Sequence, residues 1–270
     1  MFKLYEQKLL TKNSRSILLA YDQGMEHGPI DFNLLNLNPK YIFDLAKETN
    51  LNGLIVLPGI AEKYHNKFQL FSKLNLIIKI NAKSNLYSPK DPYSPILCNV
   101  ARAVSLGAKA IGYTIYPGSK YESKMFKEFS EVVEDAHKYK LPVIAWMYPR
   151  GSEIIDELST NNNAYAARIG LELGADMLKI KYNGDIEGLR WIVANSGKAK
   201  VLIAGGLKTD SDESFLKMVK DVIDAGATGL AIGRNFWQHK NPKNIINATK
   251  SIVYDNKTID EALSILKNEN

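Results

Sequence analysis

The chain has 270 residues, 45% of them hydrophobic and 24% charged, the ordinary composition of a globular domain able to bury a sizeable core. Its net charge of +6 admits nucleic acid, a membrane surface or anionic small molecules as partners. Scattered lysines, with no zinc-ligand spacing and no RRM-type aromatic motif, argue against nucleic acid, and no apolar run is long enough to cross a bilayer.

Cys98 is the only cysteine, so no intrachain disulfide is expected, which suits a reducing cytoplasm. The start, "MFKLYEQKLL", lacks the apolar core and cleavage site of a signal peptide. No Pro/Gly/Ser-rich linker divides the chain, so one domain over residues 1–270 is expected.

Short apolar runs predict strands in chain order at 16–22, 53–57, 76–80, 110–114, 142–148, 175–181, 200–204 and 228–233. Amphipathic stretches predict helices at 119–139, 163–173, 186–194 and 211–225. "SLGAKAIGY", "ELGADMLKI" and "DAGATGLAI" repeat one pattern of helix end, glycine and strand. Eight strands alternating with helices predict an α/β protein, a single (β/α)8 TIM barrel. The rival doubly wound sheet lacks a G-x-G-x-x-G after the first strand.

In such a barrel the chemistry lies at the C-terminal ends of the strands. The first strand ends in "YDQGMEHGP", where Asp22 shares a face with Leu18 and Ala20. It is either a carboxylate in the barrel mouth or a turn residue. His27, in the same loop, either contacts an anion or caps the loop. Trp146, Tyr148 and Arg150 alternate in "WMYPRG" until Pro149 bends the chain. They read either as a core aromatic pair with a surface arginine, or as a phenol proton donor beside an anion-binding guanidinium.

Lys179 and Lys181 in "KIKYNGD" point the same way, because a strand alternates its faces. A lysine in an apolar mouth next to a second cation has a lowered pKa, and a neutral amine can attack a ketone to form a Schiff base. One lysine is therefore expected to react, the other to lower its pKa and bind the anionic end of a substrate. Strand geometry leaves open which is which. "AGGLK" and "IGRN" end the last two strands with Gly205, Gly206, Gly233 and Arg234. Two such glycine loops in succession favour a phosphate site over two tight turns.

Taken together, "YDQGMEHGP", "GIAEKY", "GYTIYPGS", "AWMYPRG", "AYAARIGLELGAD", "KIKYNGD" and "GRNFWQ" resemble the archaeal-type class I fructose-1,6-bisphosphate aldolases, the DhnA-like branch of the DeoC-like Schiff-base aldolases. The resemblance spans nearly the whole chain. It implies a barrel enzyme that needs no metal or cofactor and assembles into large homo-oligomers, with a decamer as one candidate size. It implies Lys179 as the Schiff-base residue, Tyr148 as general acid/base, and Asp22 assisting carbinolamine formation and C–C cleavage. Phosphosugar contacts fall on Gly205, Gly206, Gly233 and Arg234 at one end of the substrate, and on Arg150 and Lys181 at the other. Gln23, His27 and Trp146 complete the expected binding residues. The family usually has His where this chain has Gln23, which donates a hydrogen bond but carries no charge.

Two rival readings stand beside this one. A related lysine aldolase, such as 2-amino-3,7-dideoxy-D-threo-hept-6-ulosonate synthase, shares the first-strand loop but matches less well at "EHGP" and at the second lysine of "KIKY". A non-covalent phosphosugar-binding barrel would keep the glycine loops and have no need of Lys179.

Overall fold

Eight short segments of mostly aliphatic residues are buried on both faces, and that doubled burial fixes the architecture. A strand apolar on both sides belongs in a parallel sheet with helices outside it. In the computed structural model, which describes residues 10–68 and 74–268, the strands are β1 (Ser16–Ala20), β2 (Gly53–Val56), β3 (Asn75–Lys79) and β4 (Ala110–Ile115), followed by β5 (Val143–Met147), β6 (Met177–Ile180), β7 (Lys200–Ala204) and β8 (Gly229–Ile232). They run parallel in sequence order, and β8 pairs with β1 to close the ring. This is the expected (β/α)8 barrel.

The ring holds two apolar layers apart. Inside it, Leu18, Ile55, Ile77, Ile144, Met177 and Leu202 pack together, joined by Leu10 from the segment before β1. A larger cluster lies between the strands and the helices. Those helices are α1 (Gly24–His27), α2 (Pro39–Glu48), α3 (Pro58–Phe68), α4 (Val100–Ser105), α5 (Glu122–Lys138) and α6 (Thr160–Glu172). They continue with α7 (Ile186–Asn195), α8 (Asp212–Asp224), α9 (Arg234–Trp237), α10 (Pro242–Asp255) and α11 (Ile259–Asn268).

Local chemistry sets many boundaries. Asn38 caps α2, accepting from the Lys40 amide, and Pro39 opens that helix. Ser159, Asp185 and Ser211 cap α6, α7 and α8 in the same way. The glycines of the repeated helix-end pattern, Gly107, Gly174 and Gly226, have φ of +88°, +88° and +89°. Each turns the chain from a helix toward the next strand in a backbone conformation that side chains disfavour.

Strand positions follow the sequence expectation to within two residues at each end. The seventh strand has the predicted limits, whereas β1 stops at Ala20 and β6 at Ile180. Asp22 and Lys181 therefore lie beyond their strands, at the rim. The predicted helix at 163–173 begins earlier, at Thr160, because Ser159 supplies the cap. The C-terminal pair α10 and α11, which packs together and against α8, had no counterpart among the predicted elements.

Candidate active site

Trp146 forms the floor of the C-terminal mouth. It is 1% exposed and faces Lys179 in the β5–β6 register. The Lys179 ammonium stands 5.0 Å from its ring centroid and the Lys79 ammonium 5.9 Å, distances at which a ring face attracts a cation. Gly112 on β4 makes room for the indole, since a Cβ there would come within 2.5 Å of Trp146 Cζ3. The indole N–H has no hydrogen-bond partner among the described residues.

Three ionisable groups are buried above this floor. Asp22, Lys79 and Lys179 are 6%, 3% and 6% exposed. Asp22 Oδ2 lies 3.4 Å from Lys79 Nζ in an ion pair. Burial pushes the Asp22 carboxyl upward, but Lys179 and Lys79 outweigh that and hold it below the usual carboxylate range. For Lys179 the balance runs the other way. Burial lowers its pKa most; the Asp22 carboxylate opposes, and the Lys79 cation lowers it further. The barrel thus favours a neutral amine at Lys179, the form needed for attack on a carbonyl.

This arrangement corrects one expectation from the sequence. The cation that depresses Lys179 is Lys79 on β3, and Lys181 plays no such part. The ammonium of Lys181 is turned to Glu157 Oε2 at 2.8 Å. The same oxygen lies 3.1 Å from Arg150 Nε, and Arg150 Nη1 lies 3.2 Å from Glu26 Oε1. Arg150 and Lys181 thus lie together at one pole of the mouth, joined through Glu157.

Tyr148 stands between the buried cluster and this pole. Its ring centroid is 6.0 Å from the Arg150 guanidinium carbon and 5.7 Å from Lys181 Nζ. Burial raises its pKa well above the ordinary phenol value, and the Asp22 and Glu26 carboxylates raise it further. Tyr148 is thus held as a protonated phenol, a proton donor at rest.

The second pole is built from the loops after β1, β7 and β8. Arg234 Nη2 donates to the Gly206 carbonyl at 2.9 Å, and Nη1 lies 3.3 Å from Asp31 Oδ1. His27 Nδ1 meets the other Asp31 oxygen at 2.7 Å, so the loop histidine contacts an anion that belongs to the chain. Asn235 ties the glycine loop together by donating to the carbonyls of Gly205 and Leu207. Gly206 has φ +61°, a conformation that disfavours a side chain, and a Cβ on Gly233 would press on the Ala20 carbonyl at 3.0 Å. Gly205 donates its amide to Ala231 at 3.4 Å. Gln23 is half-buried beside Asp22, and its side-chain nitrogen is buried without a partner among the described residues.

The structure thus brings every predicted site residue to the mouth or its rim. It adds Lys79, Gly112, Glu26, Glu157 and Asp31, to which the sequence reading gave no role. Lys79 had a signal, a charge inside the apolar run "LIIKI"; Glu157 lies in a loop, and Glu26 and Asp31 lie in short helical turns that carry no such pattern. No group of three or more His, Cys, Asp or Glu among the described residues is arranged to hold a metal ion. No helix among them is long and apolar enough to cross a membrane.

A parallel barrel with a buried, pKa-depressed lysine at the end of its sixth strand defines a class, the lysine-dependent aldolases. The chain belongs to the DeoC/LacD family of aldolases, whose members it matches over residues 16–239. It is 45% identical over 260 residues to the class 1 fructose-bisphosphate aldolase of Thermoproteus tenax, covering 96% of this chain and 97% of that one. It is 39% identical over 261 residues to the class 1 fructose-bisphosphate aldolase of Halobacterium salinarum, covering 96% and 98%. Its fold superposes with a TM-score of 0.88 on an archaeal fructose-1,6-bisphosphate aldolase, 45% identical, over 93% of this chain and 100% of that one. That aldolase was solved with its catalytic lysine covalently bound to the carbinolamine intermediate of the substrate.

Proposed function

We propose that the protein is a class I fructose-1,6-bisphosphate aldolase with Lys179 as its Schiff-base residue. The observation that carries this reading is the amine of Lys179, buried over Trp146 with its pKa lowered, in a chain 45% identical along nearly its whole length to an aldolase of that name.

The chemistry follows from the groups in place. The neutral Lys179 amine attacks the C2 ketone of the open-chain sugar and gives a carbinolamine. Tyr148 gives its phenolic proton to the departing C2 hydroxyl, which leaves as water. The resulting iminium cation stabilises the new phenolate beside it. The phenolate then takes the proton of the C4 hydroxyl as the C3–C4 bond breaks. The bonding pair flows into the iminium, forming an enamine and releasing glyceraldehyde 3-phosphate. Tyr148 returns the proton to C3, water hydrolyses the iminium to dihydroxyacetone phosphate and free Lys179, and the proton released in that step restores the Tyr148 phenol. Asp22, ionised throughout, stabilises the cationic nitrogen in the carbinolamine and cleavage steps.

The Arg234–Gly206–Gly233 pole takes one phosphate and the Arg150–Lys181 pole the other, with Gln23 and His27 beside the first and Trp146 under the sugar. The enzyme acts as a single domain in the cytoplasm, assembled as a homo-oligomer. The lone Cys98 supports the compartment, and exposed apolar side chains such as Leu34, Leu86, Tyr87 and Ile155 support the assembly.

A coupled assay of fructose 1,6-bisphosphate cleavage with a chelator present tests the reading. Sustained production of both triose phosphates is expected. Turnover that appears only on adding a divalent metal would contradict it.

A further inference from the structure

The Arg150–Lys181 pole already holds a carboxylate of the chain's own. Glu157 Oε2 is 3.1 Å from Arg150 Nε and 2.8 Å from Lys181 Nζ. A single oxygen thus meets a guanidinium and an ammonium at the distances a phosphate oxygen takes. The other pole also holds a carboxylate of the chain, since Asp31 meets Arg234 through Oδ1 and His27 through Oδ2.

These carboxylates differ in how firmly they are held. The side chains of Asp31 and Glu26 are 12% and 16% exposed, that of Glu157 43%. Asp31 ends a helical turn, and its carbonyl accepts from Gln238 at 2.7 Å. Glu157 lies between β5 and α6 in a segment with neither helix nor strand. Arg150 and Lys181 are 26% and 25% exposed and Glu157 is open to water on its own side, so of the three acids Glu157 is the one most readily exchanged. Arg150 does not swing away when it goes, because Glu26 grips the other side of the guanidinium.

We propose that Glu157 is a displaceable counter-anion, which holds Arg150 and Lys181 in the empty mouth and yields its place to the phosphomonoester end of a ligand. The inference rests on the reading that this pole takes an anionic end of the substrate. Arg150 and Lys181 are balanced by Glu26 and Glu157 until the exchange, so Glu157 limits how tightly that end is held and eases its release. It is a specificity-determining residue that touches the cations rather than the reacting atoms.

Calorimetric titration with inorganic phosphate tests this without any turnover. Arg234→Met weakens the other pole, and Glu157→Gln is compared with Glu157 in that background. Glutamine keeps an acceptor oxygen and loses only the charge. The dissociation constant should fall about fivefold, and the gain should shrink as salt is raised. Unchanged or weaker phosphate binding would overturn the proposal, because a carboxylate that only orients the two cations predicts that result. If the Arg234→Met background proves unstable, the single Glu157→Gln variant decides. Its KM for fructose 1,6-bisphosphate should fall several-fold with kcat unchanged or lower, and a raised KM contradicts the exchange. Tighter phosphate binding in a protein that does not cleave the sugar would fault the aldolase reading alone.

Discussion

Lys79 Nζ lies 3.4 Å from Asp22 Oδ2, although their strands β3 and β1 are separated in the ring by β2. The curvature of the ring turns both side chains into the mouth, where they face Lys179. Burial is the largest influence on both groups; Lys79 adds to it in lowering the pKa of Lys179, and joins Lys179 in outweighing it at Asp22.

Replacing Lys79 with Met should therefore raise the pKa of Lys179, since a neighbouring cation lowers it. The fraction of Lys179 trapped by borohydride with dihydroxyacetone phosphate should then climb at higher pH than in the native protein. The value of kcat/KM at pH 7 should drop about 10- to 100-fold. An unmoved pH profile would show that Lys79 serves the fold alone.

Tyr148→Phe should keep the fold and lower kcat about 10²- to 10⁴-fold, the usual worth of a positioned proton donor. The phenol of the native enzyme is held well above its ordinary pKa. It stays protonated at rest up to at least about pH 9, so no basic limb of kcat/KM below that point should come from Tyr148. Steady-state kinetics across pH, with circular dichroism of the variant, check both statements.

Gly112→Ala drives a methyl into the Trp146 ring. Overpacking of this kind costs about 1–3 kcal/mol, and the displaced indole should shift the intrinsic fluorescence. Pairing it with Trp146→Leu tests the cause. The double variant should recover part of the lost melting temperature relative to additivity. Strict additivity would mean that the two residues do not clash.

Lys179→Met should abolish cleavage and yet stabilise the fold. The folded pKa of Lys179 lies below its unfolded value. Between those two values the unfolded chain binds more protons, so stability from this group rises with pH across that window and is at its poorest below it. At neutral pH the buried amine is therefore a cost, and its removal should raise Tm by about 2 °C. Lys79 remains beside Asp22 in the variant. Asp22 has the opposite sign: its depressed pKa contributes stability above about pH 4, lost as pH falls through the folded value. Scanning calorimetry of both proteins at several pH values reads out both effects.

The strands were legible because buried parallel strands leave continuous apolar runs, as "KVLIA" does over the whole of β7. Their ends were less so. "ADMLKIK" reads as one strand, but the ladder stops at Ile180, which leaves Lys181 free to turn toward Glu157. Face alternation placed Lys179 in the mouth and suggested a second cation beside it. It looked for that cation on the same strand, because periodicity speaks only of neighbours in sequence. Lys79 arrives from across the ring, a relationship set by closure and register. Glu157 lies in a loop and Asp31 at the end of a single helical turn, where no period marks which side chains converge.

The most direct test is to incubate the protein with dihydroxyacetone phosphate, reduce with borohydride, and map the adduct by peptide mass spectrometry. The account predicts a covalent adduct on Lys179, absent from Lys179→Met. An adduct on Lys79 or Lys181, or none from folded protein that still binds the ligand, would contradict it.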